Sequence, residues 1–179
     1  FPSFVVIPEV SPSAIALGTR QNAYGHDLNR QFLDGTDDPE ALALMQALKK
    51  YQFAMCVDVH EDPDRTKAFY LYDSHHMTEG ELNEYRNLAH ETDARLYTGI
   101  DDNEDETLGC HIEKGYYAFR SGWENDTSEE VGFASKWMIR SWIAQRVFTF
   151  EIPGKATPEL KSSLIEKIVP FLTVTFGER

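Results

Sequence analysis

The fold is decided by residues 53–62, which read FAMCVDVHED. The first five residues are apolar, and four of the last five can carry a charge. A short apolar run bounded by polar residues is typical of a buried strand, and the charged residues mark where it leaves the core. We therefore predict a strand at residues 53–57 whose end presents ionisable side chains at the edge of a sheet.

Further strands and helices alternate along the rest of the chain. Asp38 is a suitable N-cap, Pro39 suits the first helical position, and Glu40 places a negative charge in the first turn. Thr157 and Pro158 repeat this pattern at the last helix. Strands are expected at residues 4–7, 53–57, 68–72 and 146–152, helices at residues 39–50, 79–96, 133–143 and from 158 onwards, and loops at residues 11–35 and 101–106. Strands that alternate with helices indicate an α/β layer architecture.

The composition fits one globular domain that spans residues 1–179, with 41% hydrophobic and 26% charged residues. No apolar run is long enough to span a membrane. The formal net charge of -13 argues against nucleic acid and anionic membrane as partners, because both attract clustered Lys and Arg. Two cysteines are too few for a disulfide framework, so Cys56 is expected as a buried free thiol and Cys110 as a loop residue, which favours a cytoplasmic location.

A loop segment at residues 20–32, RQNAYGHDLNRQF, carries side chains that suit a carboxylate ligand. The planar guanidinium group of arginine binds a carboxylate through two parallel hydrogen bonds. Arg20, Asn29 and Arg30 are therefore candidate receptors for a substrate carboxylate or an oxyanion. The alternative is a solvated loop in which Asp27 pairs with one of the arginines.

Residues 58–62 place several ionisable groups at the mouth of a strand, where their desolvation is costly. A divalent metal ion would compensate for this cost, with His60 as a ligand and a neighbouring carboxylate as its hydrogen-bond partner. The alternative is a histidine that is hydrogen-bonded to the neighbouring acids.

Residues 148–154, FTFEIPG, place Glu151 between a strand and a Pro-Gly break. A partly desolvated carboxylate has a raised pKa, which suits a general base. The alternative is an exposed acid at the end of a strand.

Together, the three segments resemble the zinc metallocarboxypeptidases, and they occur in the same order as in that family. Residues 20–32 are similar to the family's Arg that is followed, after six residues, by Asp-Leu-Asn-Arg-x-Phe. Residues 58–60 are similar to the segment with its third zinc ligand, and residues 149–154 to the segment with its catalytic glutamate. The resemblance extends from residue 4 to about residue 152 and implies a three-layer α/β/α fold around a mostly parallel or mixed sheet.

The resemblance implies a role for each matching residue. His60 would be a zinc ligand, and Glu151 would be the general base and proton shuttle. Arg20 would polarise the scissile carbonyl and stabilise the oxyanion, and Asn29 and Arg30 would bind the substrate carboxylate. The implied cofactor is one Zn²⁺ ion, and the implied partner is a peptide or N-acyl amino acid with a free carboxylate.

The match is incomplete in the metal ligands. The family's other two ligands form a His-x-x-Glu motif before the strand at which this sequence begins, so they are expected upstream of Phe1, and the sequence is expected to be the C-terminal two-thirds of the domain. His76 and Glu79 have this spacing but follow the DVHED segment, and a polar turn at a helix start is expected there. No tyrosine occupies the usual position of the family's substrate-contacting tyrosine, and Tyr116 and Tyr117 are the nearest candidates.

Three functions remain open. The first is a carboxypeptidase that removes a C-terminal residue from a peptide. The second is an N-acyl amino acid deacylase similar to succinylglutamate desuccinylase or aspartoacylase, which share the Asp-Leu-Asn-Arg-x-Phe and Asp-x-His elements. The third is a metal-free relative that keeps Arg20 and Arg30 to bind carboxylates. The peptidase is favoured over the deacylase because Arg20 fits its spacing and Glu151 is followed by Ile-Pro-Gly rather than Val-Gly-Pro.

Overall fold

The computed structural model of the chain describes residues 4–101, 109–118 and 132–176. The helices are α1 (Pro12–Leu17), α2 (Pro39–Leu48), α3 (Glu79–His90), α4 (Ala134–Arg140) and α5 (Pro158–Phe176), with a short 3-10 helix at Leu28–Arg30. The strands are β1 (Phe53–Asp62), β2 (Ala68–Asp73), β3 (Arg95–Leu96), β4 (Gly99–Ile100), β5 (His111–Ile112), β6 (Tyr116–Ala118) and β7 (Ala144–Pro153). None of the described helices has the length and apolar character needed to cross a membrane.

The described residues divide into two compact units. The first comprises the described parts of Phe1–Phe53 and Gly122–Gln145, and the second comprises those of Ala54–Ser121 and Arg146–Arg179. Helices α1, α2 and α4 belong to the first unit, whereas α3, α5 and most of the central sheet belong to the second.

The central sheet is mixed. Its strand order is β1-β7-β2-β3, and β6 also pairs with β2. Strand β2 is antiparallel to β7 and parallel to β3 and β6, while β4 and β5 form a separate antiparallel pair. The predicted α/β class, with a mixed central sheet flanked by helices, is therefore confirmed.

One face of the sheet is apolar and packs against α3 and α5. In the ladder between β2 and β7, Leu71 lies opposite Phe150, and both are fully buried in one cluster with Tyr85 of α3. Successive side chains of a strand point to opposite faces of its sheet. Tyr70 and Glu151, which face each other in the same ladder, therefore lie on the other face.

The start of α2 in the first unit follows the prediction. Asp38 caps the helix, because its Oδ1 accepts the backbone N–H groups of Glu40 at 3.0 Å and Ala41 at 2.9 Å. Its Oδ2 accepts a hydrogen bond from Asn22 Nδ2 at 2.6 Å and lies 3.0 Å from His26 Nδ1. Burial alone would raise the pKa of Asp38, but these hydrogen bonds hold it below its ordinary value. One carboxylate thus caps α2 and anchors the loop before it.

Two strand predictions are corrected by the structure. The strand expected at residues 4–7 is wrong, since these residues make no ladder with the described part of the chain and Phe4 is 79% exposed. A strand persists only where a neighbour satisfies its backbone groups. Strand β1 instead continues to Asp62, so the charged residues lie within the strand rather than after it. A sheet with one polar face accommodates such charges on alternate residues.

The predicted helices begin at or next to the observed first residues, but α2, α3 and α4 end earlier than predicted. Helix α3 ends at His90 because residues 95–96 pair with β2 as strand β3. Helix α4 ends at Arg140, and the chain joins β7 four residues later. The loop expected at residues 11–35 contains α1 and the 3-10 helix. The acidic loop expected at residues 101–106 lies, except for Asp101, outside the described residues.

Cys56 is a free thiol, as predicted, but it is half-buried rather than fully buried. Cys110 lies in a loop, as predicted. Burial, and to a lesser extent the nearby Asp58 carboxylate, raises the pKa of the Cys56 thiol to about 12. The thiol of Cys56 is therefore protonated and unreactive at neutral pH.

Candidate active site

The polar face of the central sheet carries a cluster of ionisable side chains. Strand β1 contributes Asp58 and His60, which are two residues apart and therefore share a face. Strand β7 contributes Glu151, and His60 Nδ1 lies 3.7 Å from Glu151 Oε1. The structure thus brings together the residues predicted as metal ligand and general base.

Asp58 holds the imidazole ring of His60 from its other side. Asp58 Oδ2 lies 3.0 Å from His60 Nε2. An ionised carboxylate can only accept a hydrogen bond, so this contact favours the tautomer with its proton on Nε2 and leaves Nδ1 towards Glu151. The histidine–acid hydrogen bond that the sequence suggested as an alternative is therefore present.

Glu151 has the ionisation behaviour expected of a general base. Its side chain is 16% exposed, and burial raises its pKa to about 7. A protonated His60 ring would oppose this rise, whereas the carboxylates of Asp62, Asp58 and Asp101 add to it. A carboxylate that titrates near neutral pH can both accept and return a proton under physiological conditions.

Two tyrosines of β2 lie on the same face of the sheet as Glu151. They were not predicted as site residues from the sequence. Tyr70 lies directly opposite Glu151 in the ladder and donates a hydrogen bond to Asp62 Oδ2 at 2.8 Å. Tyr72 donates a hydrogen bond to Asp101. Burial raises the pKa of both phenols, which therefore stay neutral donors. Alternation along β2 could have placed both on one face, but only the register with β7 places them beside Glu151.

The described residues do not complete a zinc site. A catalytic zinc ion takes three protein ligands. Within residues 4–101, 109–118 and 132–176, no group of three His, Cys, Asp or Glu side chains is placed to hold a metal ion. His60, with its ring oriented by Asp58, is suited to supply one ligand of a site that these residues leave incomplete.

Two of the predicted carboxylate-binding residues lie side by side in the first unit. The guanidinium carbon of Arg30 lies 4.4 Å from the centre of the Phe133 ring, and Arg30 Nη1 donates a hydrogen bond to the backbone oxygen of Asn29 at 3.0 Å. Burial lowers the pKa of Arg30, but arginine remains a cation at neutral pH. The side-chain Oδ1 of Asn29 accepts the backbone N–H of Ala134 at 3.0 Å. Both side chains are thus held in place by their own unit.

Arg20 is held less firmly. Its Nη2 lies 2.8 Å from Asp27 Oδ2, and its Nε donates a hydrogen bond to the same oxygen at 2.9 Å. This is the pairing with Asp27 that the sequence suggested as an alternative. The Arg20 side chain is 68% exposed, and exposed ion pairs of this kind contribute little to stability. The joint action of Arg20, Arg30 and Glu151 on one substrate stays a prediction.

The polar turn expected at residues 76–79 is confirmed. Thr78 is the N-cap of α3, and its side chain accepts the backbone N–H of Glu81. The Glu81 carboxylate in turn accepts the backbone N–H of Thr78 at 2.7 Å, which completes a capping box. The His-x-x-Glu spacing here therefore reflects the start of a helix.

The two tyrosines considered as substrate contacts differ in their surroundings. The Tyr116 hydroxyl donates a hydrogen bond to Asp73 Oδ2 at 2.6 Å and accepts one from the backbone N–H of Met77 at 2.9 Å, so it is engaged in the structure. Tyr117 lies opposite Tyr72 in the ladder between β2 and β6, and their ring centres are 6.2 Å apart. Tyr117 therefore extends the polar face that holds Glu151.

Several solved structures share this fold. One is described as "a putative metallopeptidase" from Shewanella denitrificans OS217, with a TM-score of 0.72 and 17% identity over 97% of this chain and 61% of that chain. A second, with the same description, is from Shewanella amazonensis SB2B, with a TM-score of 0.70 and 17% identity over 97% of this chain and 64% of that one. A third, from Shewanella baltica OS155, has a TM-score of 0.65 and 17% identity over 92% of this chain and 60% of that one.

These likenesses establish a fold shared with proteins that carry the description "putative metallopeptidase". The chain spans a little less than two-thirds of the length of each of these three structures. No protein-family model matches the sequence, and no curated protein matches it.

Proposed function

We propose that the chain is the catalytic part of a metal-dependent hydrolase of the zinc metallocarboxypeptidase type. The observation that carries this proposal is a buried carboxylate, Glu151, with a pKa of about 7 beside an imidazole that Asp58 orients. The fold shared with proteins described as metallopeptidases supports it. His60 would supply one metal ligand, and the others would come from residues outside this sequence.

Glu151 would act as the general base in hydrolysis of the scissile amide. Its carboxylate accepts a proton from the water that attacks the carbonyl carbon, and it returns that proton to the leaving amine nitrogen as the C–N bond breaks. A pKa near 7 suits both steps, because the carboxylate is available at neutral pH and its conjugate acid is strong enough to protonate an amine.

Arg30 and Asn29 would bind the free carboxylate at the C-terminus of a peptide. The Phe133 ring holds the Arg30 guanidinium group in place, which reduces the entropy lost when a carboxylate binds. Arg20 would stabilise the oxyanion that forms on the carbonyl oxygen. Its exposed pairing with Asp27 is weak enough to be exchanged for a substrate contact.

Two substrates with the same C-terminal residue test the substrate class on the encoded protein that contains this sequence. One is an N-blocked dipeptide with a free carboxylate, and the other is the corresponding N-acyl amino acid. We expect turnover of the dipeptide. Turnover of only the N-acyl amino acid would assign the chain to the deacylases. Binding of both without turnover or bound metal would leave a carboxylate-binding protein.

A further inference from the structure

A cavity in the second unit lies between the first turns of α3 and strand β6. Its volume is about 420 Å³, within the range of small-molecule sites. Neither His60 nor Glu151 lines it. Its lining includes five ionisable side chains that the proposed hydrolysis does not use, which are His76, Glu79, Arg86, Glu113 and Lys114.

Arg86 is the side chain that most clearly lacks a partner. It lies half-buried on α3, and its Nε–H is buried without an acceptor among the described residues. A buried donor that has no acceptor is costly, and native structures usually satisfy such a group with water, an ion or a ligand. The Nε–H itself is closed to solvent, but the guanidinium group lines the cavity, where a bound anion would neutralise its charge.

The other charges of the cavity have both signs. Lys114 adds a second cation, and Glu79 and Glu113 add two carboxylates, all of them exposed at its rim. None of the three forms a salt bridge within the described part of the chain. Leu82 is buried and contributes apolar lining. Such a site complements a small ligand that carries a carboxylate, an ammonium group and an apolar part.

We propose that this cavity binds a free α-amino acid. The carboxylate of the ligand pairs with Arg86 and Lys114, its ammonium group pairs with Glu113, and an apolar side chain packs against Leu82 and Tyr116. The proposed peptidase would also release amino acids as products. Binding at this cavity does not depend on that activity.

Calorimetric titration of the encoded protein with L-leucine tests the site. We expect saturable binding with a Kd of about 1 mM or tighter. L-leucinamide, which lacks the carboxylate, and N-acetyl-L-leucine, which lacks the ammonium group, should each bind at least about tenfold more weakly, because each leaves one set of charges unpaired. The absence of saturable leucine binding, or equal binding of all three compounds, would overturn the proposal.

A matched pair of variants locates the binding. Arg86→Met keeps the length of the side chain and should weaken leucine binding by at least about tenfold, since it removes the carboxylate partner. Arg95→Met removes an exposed arginine of the same unit that does not line the cavity, and it should leave binding unchanged. Equal effects of the two variants would place the ligand elsewhere. If Arg86→Met does not fold, the three-compound comparison on the wild-type protein still decides the question.

Discussion

Glu151 is the residue on which the proposed hydrolysis depends, and its burial has a measurable consequence for stability. Its pKa rises from 4.5 in the unfolded chain to about 7 in the folded protein. The folded state therefore binds this proton more tightly than the unfolded state. The resulting stabilisation is fully present below pH 4.5 and is lost as the pH rises through about 7.

We predict that Glu151→Gln stabilises the metal-free protein at alkaline pH, because glutamine needs no charge in a buried position. The difference in unfolding free energy between variant and wild type should increase by about 3 kcal/mol between about pH 4 and about pH 8. Urea denaturation of both proteins across this range measures it. Glu166→Gln, which changes an exposed glutamate of α5, is the control and should show no such trend. A pH-independent difference would contradict the burial argument.

A second prediction concerns Arg30. Arg30→Ala should raise KM for a dipeptide with a free C-terminal carboxylate by the equivalent of about 2–5 kcal/mol, because a charge partner is lost. The C-terminally amidated dipeptide should be affected far less. Arg140→Ala, at an exposed arginine of α4 in the same unit, serves as the control. Equal changes in KM for both substrates would remove Arg30 from the carboxylate site.

Among the elements, helix α2 and the loop before it are both held by the side chain of Asp38. We predict that Asp38→Ala destabilises the protein by about 2–4 kcal/mol, from the lost cap of α2 and from the buried Asn22 amide left without its acceptor. Chemical denaturation measures this loss. Asp37→Ala changes an exposed neighbour and should cost less than about 0.5 kcal/mol. A similarly small cost for Asp38→Ala would mean that the hydrogen bonds of Asp38 contribute little to the stability of the protein.

The elements also show which features can be predicted from the sequence. The start of α2 is capped by Asp38, and at the start of α5 Thr157 Oγ1 accepts the backbone N–H of Leu160 at 3.4 Å. Both starts depend on residues adjacent in the chain, and both were predicted correctly. The end of β1 was not, because Asp58, His60 and Asp62 are accommodated on the polar face of the sheet and Glu61, on the other face, is exposed and pairs with Lys161. His60 and Glu151 were predicted from segments that resemble a known family, and the structure places them next to each other. Tyr70 was not predicted, because its position depends on the register between two strands that are distant in sequence.

For the whole molecule, the two units make different contributions to the proposed reaction. The second holds the base and the imidazole, and the first holds the arginines predicted to bind substrate. The proposed reaction requires that both units act on one peptide and that a metal ion assists. Hydrolysis that depends on metal, on Glu151 of the second unit and on Arg30 of the first would satisfy both requirements.

The most direct test is hydrolysis of an N-blocked dipeptide by the encoded protein after treatment with a chelator and again after addition of Zn²⁺. We predict that the chelator abolishes turnover and that Zn²⁺ restores it in the wild type. Glu151→Gln with Zn²⁺ should remain at least about 100-fold slower, which is the usual contribution of a general base. Turnover that survives chelation, or a Glu151→Gln variant that retains wild-type activity, would contradict the account.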